Sequence, residues 1–182
     1  MDTRRCREFG RFWGFVIRLG RLDFRLMKIL TIILLMTFGI LDSQELKIYS
    51  FQNLPEKSDK PILIYMKTSW CSVCKIQMHQ MKKDSELKKL LNENVHFIIF
   101  DAEKTKEKIE FLDKTYLYIS NGNSGMHELA MEFSRNQIPI YPTWVLINSQ
   151  AKVLFYQQGL IDNEILKSII NTSTPLSVTL KN

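Results

Sequence analysis

The stretch TSWCSVCK, residues 68–75, sets two cysteines as Cys-x-x-Cys in a chain of 182 residues, and its interpretation decides the fold. Such a pair is half of a metal site, a disulfide that staples the chain, or a pair of thiols that react. The surrounding sequence discriminates among these three interpretations, because each of them requires different partners elsewhere in the chain.

Metal binding and stapling are the weaker interpretations. A structural zinc site needs four ligands, but the chain has a single Cys-x-x-Cys pair, and its three histidines (His79, His96 and His127) lack ligand spacing. A c-type haem attachment would place histidine at position 75, where the sequence has lysine. A disulfide that closes so small a loop constrains the unfolded chain very little. Reactive thiols are therefore favoured, with a metal site shared between two chains as the remaining metal alternative.

The cysteines lie between a predicted strand and a predicted helix. The apolar run PILIYMK, residues 61–67, is typical of a strand covered on both faces. After Cys71, the residues Cys74, Met78 and Met81 recur at helical spacing. Cys71 thus lies at a helix N-terminus, where unpaired N–H groups and the helix dipole lower the pKa of a thiol. Cys71 is the predicted nucleophile, and Cys74 is placed to resolve the mixed disulfide.

The rest of the body alternates strand and helix patterns, which predicts an α/β fold with a mixed sheet and helices on both faces. Further strands are expected at 47–51, 95–102 and on both sides of a turn at 148–150. Further helices are expected after an Asp84 or Ser85 cap, at the charged start of 103–125, around 126–133, and after an Asp162 cap. In the last helix the side chains expected to face inward are Ile165, Leu166, Ile169 and Ile170.

The N-terminal region differs from the body in charge. Residues 1–28 hold eight Lys or Arg and three Asp or Glu, a net +5, whereas the remainder has seventeen basic and sixteen acidic residues, a net +1. The body therefore has no basic stripe, which excludes nucleic acid as the main partner. Residues 1–26 are interpreted as a basic extension, either a segment under its own constraints or one that lies upstream of the real start.

From Met27 the sequence is typical of an export signal. One lysine is followed by thirteen uncharged, mostly apolar residues, 29–41, fewer than the ~20 residues that a membrane span needs. We expect 27–43 to be a signal peptide, with a membrane anchor through 29–41 as the alternative. The mature protein would be periplasmic or otherwise exported, with a domain at 44–171 and a frayed tail at 172–182.

Several ordered motifs resemble the thioredoxin superfamily. WCSVCK, residues 70–75, matches the family's W-C-x-x-C-K active site, and IPIYPT, residues 138–143, matches the loop that leads into its cis-proline–threonine pair. Gly159 and the helix after it match the end of the family's domain. Residues 84–103 are similar to the exported branch that includes the C-terminal domain of membrane thiol:disulfide interchange reductases. The resemblance covers about residues 47–170.

The resemblance implies a thioredoxin fold and a thiol:disulfide oxidoreductase in which Cys71 attacks and Cys74 resolves. It also implies that Pro142 is cis and that backbone groups around Tyr141 and Thr143 pair with an extended substrate strand. No metal or nucleotide cofactor is needed, because the dithiol itself carries two electrons. The implied partners are disulfide-containing protein substrates and a thiol protein that donates electrons. The resembled branch implies reduction, with oxidation or isomerisation as alternatives that depend on the reduction potential.

Two aromatic residues complete the predicted site. Trp70 is expected to be a partly exposed platform beside the thiol. Tyr65 occupies the position, six residues before the first cysteine, where many family members carry a buried carboxylate, and a phenol with a pKa near ~10 is a poor base at neutral pH. Either Tyr65 merely packs, water or Lys67 substitutes for the acid, or turnover is slow. The alternative function is a thioredoxin-like binding or assembly module whose cysteines are vestigial or hold a metal.

Overall fold

The structure, a computed structural model, describes residues 45–55, 58–135 and 137–173. The predicted basic extension and the predicted signal peptide or anchor, together with residues 174–182 of the predicted tail, lie outside the described residues. Within the described part of the chain, no helix is both long enough and apolar enough to cross a membrane.

A mixed sheet of four strands forms the centre of the domain. The described residues also form two separate two-stranded sheets. In chain order, the strands of all three sheets are β1 (Ile62–Lys67), β2 (His96–Asp101), β3 (Ile109–Phe111), β4 (Lys114–Tyr116), β5 (Tyr118–Asn121), β6 (Ser124–His127), β7 (Thr143–Ile147) and β8 (Val153–Gln158). The central sheet has the order β2-β1-β7-β8, with β1 parallel to β2 and antiparallel to β7, and β7 antiparallel to β8. The apolar runs occupy β1 and β7, because these inner strands are covered on both faces.

Helices cover both faces of the sheet, as predicted. They are α1 (Ser72–Lys83), α2 (Ser85–Asn94), α3 (Glu128–Phe133) and α4 (Asn163–Ser173). Alternate residues of β1 point to opposite faces. Leu63 and Tyr65 pack in one apolar cluster with side chains of α1, α2 and α4. Ile64 and Met66 pack in another with side chains of α3 and the β3–β4 hairpin.

Two of the predicted elements were wrong. The segment 47–51 is not a strand but a single parallel bridge between Tyr49 and Ile98, followed by a short 3₁₀ helix, Phe51–Asn53. The segment 103–125 contains no helical start, and instead forms the hairpins β3–β4 and β5–β6. Its charged residues alternate with buried ones in β3, a period-2 pattern that the high charge content obscured.

The inward face of α4 was also partly mispredicted. Ile165 is 55% exposed, whereas Lys167 is buried. The Lys167 Nζ lies 2.8 Å from Glu164, 2.8 Å from Glu86 and 3.1 Å from Asp84. Hydrogen bonds to these carboxylates raise the pKa of Lys167, so it stays charged and links α4 to the start of α2. A lysine is tolerated at this buried position because its charge is paired.

The last helix extends past the predicted end of the domain at residue 171. α4 includes Thr172 and Ser173. The Thr172 hydroxyl donates to the Ser168 carbonyl at 2.9 Å, and the Ser173 hydroxyl donates to the Ile169 carbonyl at 2.7 Å. Both hydroxyls bond back to a carbonyl one turn earlier, as serine and threonine side chains commonly do within helices.

Candidate active site

Cys71 and Cys74 form a disulfide at the start of α1, so the structure describes the oxidised form of the pair. Cys71 is the N-cap of the helix, and its Sγ accepts a hydrogen bond from the Cys74 N–H at 3.0 Å. Both side chains are buried. In the reduced form the same N–H and the positive end of the helix dipole would stabilise a Cys71 thiolate. The predicted asymmetry between the two sulfurs therefore has a geometric basis.

The loop before β7 lies beside the apolar cluster that includes the two cysteines. The Tyr141–Pro142 peptide bond is cis, as the resemblance implied. The Pro142 carbonyl accepts a hydrogen bond from the Gly159 N–H at 2.7 Å, and the Thr143 hydroxyl donates to the Ile140 carbonyl. Tyr141 packs against the apolar cluster that contains both cysteines. The fold thus brings this loop to the redox pair.

Trp70 forms an exposed platform at the edge of the site, as predicted. Its side chain is 65% exposed, and its ring meets the Tyr141 ring edge to face, with centroids 5.9 Å apart. The indole Nε1 donates to both carboxylate oxygens of Glu103 at 3.0 Å. Burial, together with the charges of Glu103 and Asp101, raises the pKa of Tyr141 to about 12. Tyr141 is therefore a neutral phenol at the pH of any thiol exchange.

Glu103 and Asp101 were not predicted as site residues, although the sequence held a signal for them. They follow or end β2, and the cysteine loop follows β1, its parallel neighbour. The carboxyl ends of neighbouring parallel strands meet at the same edge of a sheet, so polar groups after both strands share one site. The shared edge of these two strands therefore predicts Asp101 and Glu103 near the cysteine loop.

A partly buried ion pair lies next to the cysteine loop. The Lys67 Nζ is 2.7 Å from Asp101 Oδ2, which also accepts a hydrogen bond from the Ser69 hydroxyl at 3.2 Å. Burial would raise the pKa of Asp101, but the hydrogen bond and charge of Lys67 and the N–H groups of Lys104 and Glu103 outweigh burial and lower it. Asp101 is therefore an ionised carboxylate that anchors the turn after β2.

Tyr65 is buried and donates a hydrogen bond to the first turn of α1. Its ring is fully buried against Trp144, with ring centroids 4.5 Å apart, and its hydroxyl donates to the Cys74 carbonyl at 2.9 Å. Burial raises the pKa of Tyr65 well above its usual value. Of the interpretations left open by the sequence, the geometry favours simple packing, with the phenol as a neutral donor to the first turn of α1.

Tyr65→Phe tests this role. Removing the hydroxyl deletes one buried hydrogen bond, so we expect the free energy of unfolding to fall by about 1 kcal/mol in urea denaturation. The pH profile of disulfide reduction should keep its shape, because a phenol that stays neutral takes no proton from a thiol. A shifted profile with unchanged stability would instead make Tyr65 a proton acceptor. Tyr156→Phe, a change on the partly exposed β8, is the matched control.

A cavity of about 330 Å³ opens beside the cysteines along α1. Its lining residues are Lys67, Thr68, Ser69, Cys74, Lys75, Met78, His79 and Lys82. A larger cavity, of about 840 Å³, lies between Phe51, His96 and Lys114 and includes neither cysteine. The α1 cavity therefore borders Cys74, whose side chain is itself buried.

The histidines lie apart from one another and from the cysteines. His79 is exposed, and His96 packs against Tyr49 and forms a hydrogen bond with the Ser58 hydroxyl at 2.6 Å. His127 is the N-cap of α3. Among residues 45–55, 58–135 and 137–173, no group of three or more His, Cys, Asp or Glu side chains is placed to hold a metal ion.

Residues 50–174 match the sequence pattern of a family described as the Thioredoxin-like domain. The chain belongs to this thioredoxin-like family. The family match and the mixed sheet flanked by helices confirm the predicted thioredoxin fold. A thioredoxin-like domain that carries a Cys-x-x-Cys disulfide supports an oxidoreductase in the general sense. No curated protein sequence matches the chain.

Several solved structures are similar to this thioredoxin-like chain. Thioredoxin-2, a component of the malaria parasite protein secretion machinery, is 22% identical over 66% of this chain and 89% of its own, with a TM-score of 0.43. A thioredoxin-fold protein from Helicobacter pylori is 16% identical over 75% of this chain and 80% of its own, with a TM-score of 0.47. A disulphide isomerase from Xylella fastidiosa is 16% identical over 63% and 78%, with a TM-score of 0.40.

Proposed function

We propose that this protein is an exported thiol:disulfide oxidoreductase that reduces disulfides in protein substrates. The observation that carries the proposal is the position of the Cys71–Cys74 pair, at the N-terminus of α1 and against the Tyr141–Pro142 loop. This position activates one sulfur, keeps the other one turn away, and leaves an exposed aromatic platform, Trp70, beside them.

The proposed reaction moves two electrons. In the reduced protein the Cys71 thiolate attacks one sulfur of the substrate disulfide, and the other substrate sulfur leaves as a thiolate that takes up a proton. The Cys74 thiol then loses its proton and attacks the Cys71 sulfur, which forms the Cys71–Cys74 disulfide and releases the second substrate thiol. Because Cys74 lines the α1 cavity, its proton leaves to water there. A thiol protein outside this chain must return the two electrons.

The surroundings of the pair support binding of an extended substrate segment. The main chain of Tyr141 makes no hydrogen bond to any residue that the structure describes, so its N–H and C=O remain for a substrate strand. Trp70 presents exposed apolar surface beside the pair. Exposed apolar side chains also precede Tyr141, at Ile138 and Ile140, and follow Gly159, at Leu160. Pro142 and Thr143 hold that loop in place through their bonds to Gly159 and Ile140.

Export is proposed from the N-terminal sequence. A lysine followed by the apolar run 29–41 is the order of charge and hydropathy in a secretory signal. Cleavage would release a periplasmic or secreted domain, and retention would leave it anchored through 29–41. In either form, Cys6 precedes the apolar run and takes no part in the proposed chemistry.

An equilibrium redox titration of the full chain carrying Cys6→Ser tests the proposal, with the thiols trapped by alkylation. We expect one reversible two-electron transition that the Cys71→Ser/Cys74→Ser double variant lacks. A midpoint near the thioredoxin value of about −270 mV identifies a reductase, and one near about −120 mV an oxidant. If no transition is seen, or if the cysteines resist alkylation only with added zinc, the protein is instead a binding module.

A further inference from the structure

One face of α1 carries positive charge. The helix sequence SVCKIQMHQMKK contains no acidic residue. Lys75, His79 and Lys82 follow one another at i, i+4 and i+7, which places them on the same face of the helix. All three side chains are exposed. These three residues form a basic stripe, which begins at the residue after Cys74 and runs along α1 away from the redox pair.

The stripe forms one wall of the cavity of about 330 Å³ described above. Lys67, on another wall, is already paired with Asp101 at 2.7 Å. Lys75 and Lys82, in contrast, form no ion pair with any residue in the described ranges. A small cavity with two unpaired ammonium groups and a histidine, next to a reactive cysteine, is complementary to an anionic group.

A neutral donor in the same cavity lining adds to this complementarity. Thr68 is 2% exposed, and its Oγ1 has no hydrogen-bond partner among the residues that the structure describes. A buried hydroxyl without a partner is costly. A carboxylate that entered between α1 and Thr68, or a water that it held there, would supply the missing partner.

We propose that this cavity binds a carboxylate side chain of the protein whose disulfide is reduced, with the acidic residue close to the substrate cysteine. The inference rests on the proposed function and names its substrate class: disulfides flanked by Asp or Glu. A single carboxylate suits the cavity, because the near-neutral body offers no extended basic surface for a polyanion. Attraction between opposite charges raises the association rate and fixes the register of the bound segment.

The test compares two synthetic peptides that each contain one disulfide and differ only in flanking residues, Glu in one and Gln in the other. The reduced full chain carrying Cys6→Ser is mixed with each peptide, and the second-order rate constant of reduction is measured. At about 20 mM salt, where screening is weak, we expect the Glu peptide to be reduced about fivefold faster, in keeping with a few exposed charge pairs. At about 500 mM salt the preference should largely disappear.

Adjacent lysines provide the matched variants. Lys82→Glu changes a residue that lines the cavity, whereas Lys83→Glu makes the same charge change on a residue that does not. Lys82→Glu should abolish the preference for the Glu peptide, because it replaces one of the two unpaired ammonium groups of the cavity with a carboxylate. Lys83→Glu should retain the preference. Equal rates for both peptides in the wild-type chain, or an equal loss in both variants, would overturn the inference while leaving the proposed function intact.

Failure of the proposed function itself would look different, because neither peptide would then be reduced. In that case the oxidised full chain is titrated with each peptide, and its amide NMR signals are monitored during the titration. This measurement still decides the inference. Shifts at Thr68, Lys75 and Lys82 with the Glu peptide but not with the Gln peptide would support it. Absence of these shifts would overturn it.

Discussion

The Cys71→Ser variant of the full chain loses disulfide reduction by a factor on the order of 10³ or more, because the attacking thiolate is gone and a hydroxyl is not a nucleophile at neutral pH. The Cys74→Ser variant still attacks, but nothing resolves the product. We expect it to accumulate a covalent mixed disulfide with its substrate, visible as a mass increase that dithiothreitol removes. Rates and intact masses are measured with one defined peptide disulfide, in chains that all carry Cys6→Ser.

The assignment of the two roles rests on position in α1. The Cys71 sulfur accepts the Cys74 N–H, while Cys74 lies inside the first turn. If Cys74→Ser abolished attack and Cys71→Ser gave the mixed disulfide, the roles would be reversed. If both variants bound protein partners as well as the wild-type chain and no variant, wild type included, reduced a disulfide, the binding-module alternative would stand. The Cys71→Ser/Cys74→Ser double variant supplies the background rate.

The sequence predicted the redox pair and its loop because both are local patterns. Cys-x-x-Cys at the junction of an apolar run and a helical pattern fixes the place of the cysteines without knowledge of the rest of the fold. The cis bond at Pro142 was implied by the resemblance, and the structure confirms it. Trp70 was predicted to be a partly exposed platform beside the thiol, and its side chain is indeed 65% exposed.

Contacts between distant segments were not predictable in this way. Lys167 is buried because three carboxylates, from α4, from α2 and from the cap residue before α2, surround its ammonium group, whereas a lysine in a helix is usually exposed. The hairpins of 103–125 were missed because charge outweighed a period-2 pattern only three residues long in β3. Such assignments depend on which segments the fold places side by side.

Gln77 is the clearest of these unpredicted contacts, and it ties the cysteine helix to the end of the sheet. Although glutamine is usually a surface residue, Gln77 is 0% exposed. Its Nε2 donates to the Ile161 carbonyl at 2.9 Å, and its Oε1 accepts the Ile161 N–H at 2.8 Å. Ile161 follows Gly159, whose N–H holds the Pro142 carbonyl. One side chain thus connects α1 to the segment that supports the Tyr141–Pro142 loop.

Gln77→Leu should lower the free energy of unfolding by about 2–4 kcal/mol, because a buried N–H and a buried C=O each lose their partner at a cost of about 1–3 kcal/mol. Leucine has nearly the volume of glutamine, so the loss reports the missing hydrogen bonds and not a cavity. Gln80→Leu, an exposed position on the same helix, should change stability by less than about 0.5 kcal/mol. Urea denaturation of the oxidised full chain measures both. Similar losses in the two variants would show that leucine harms α1 wherever it is placed, and would leave the Gln77–Ile161 pair without an energetic role.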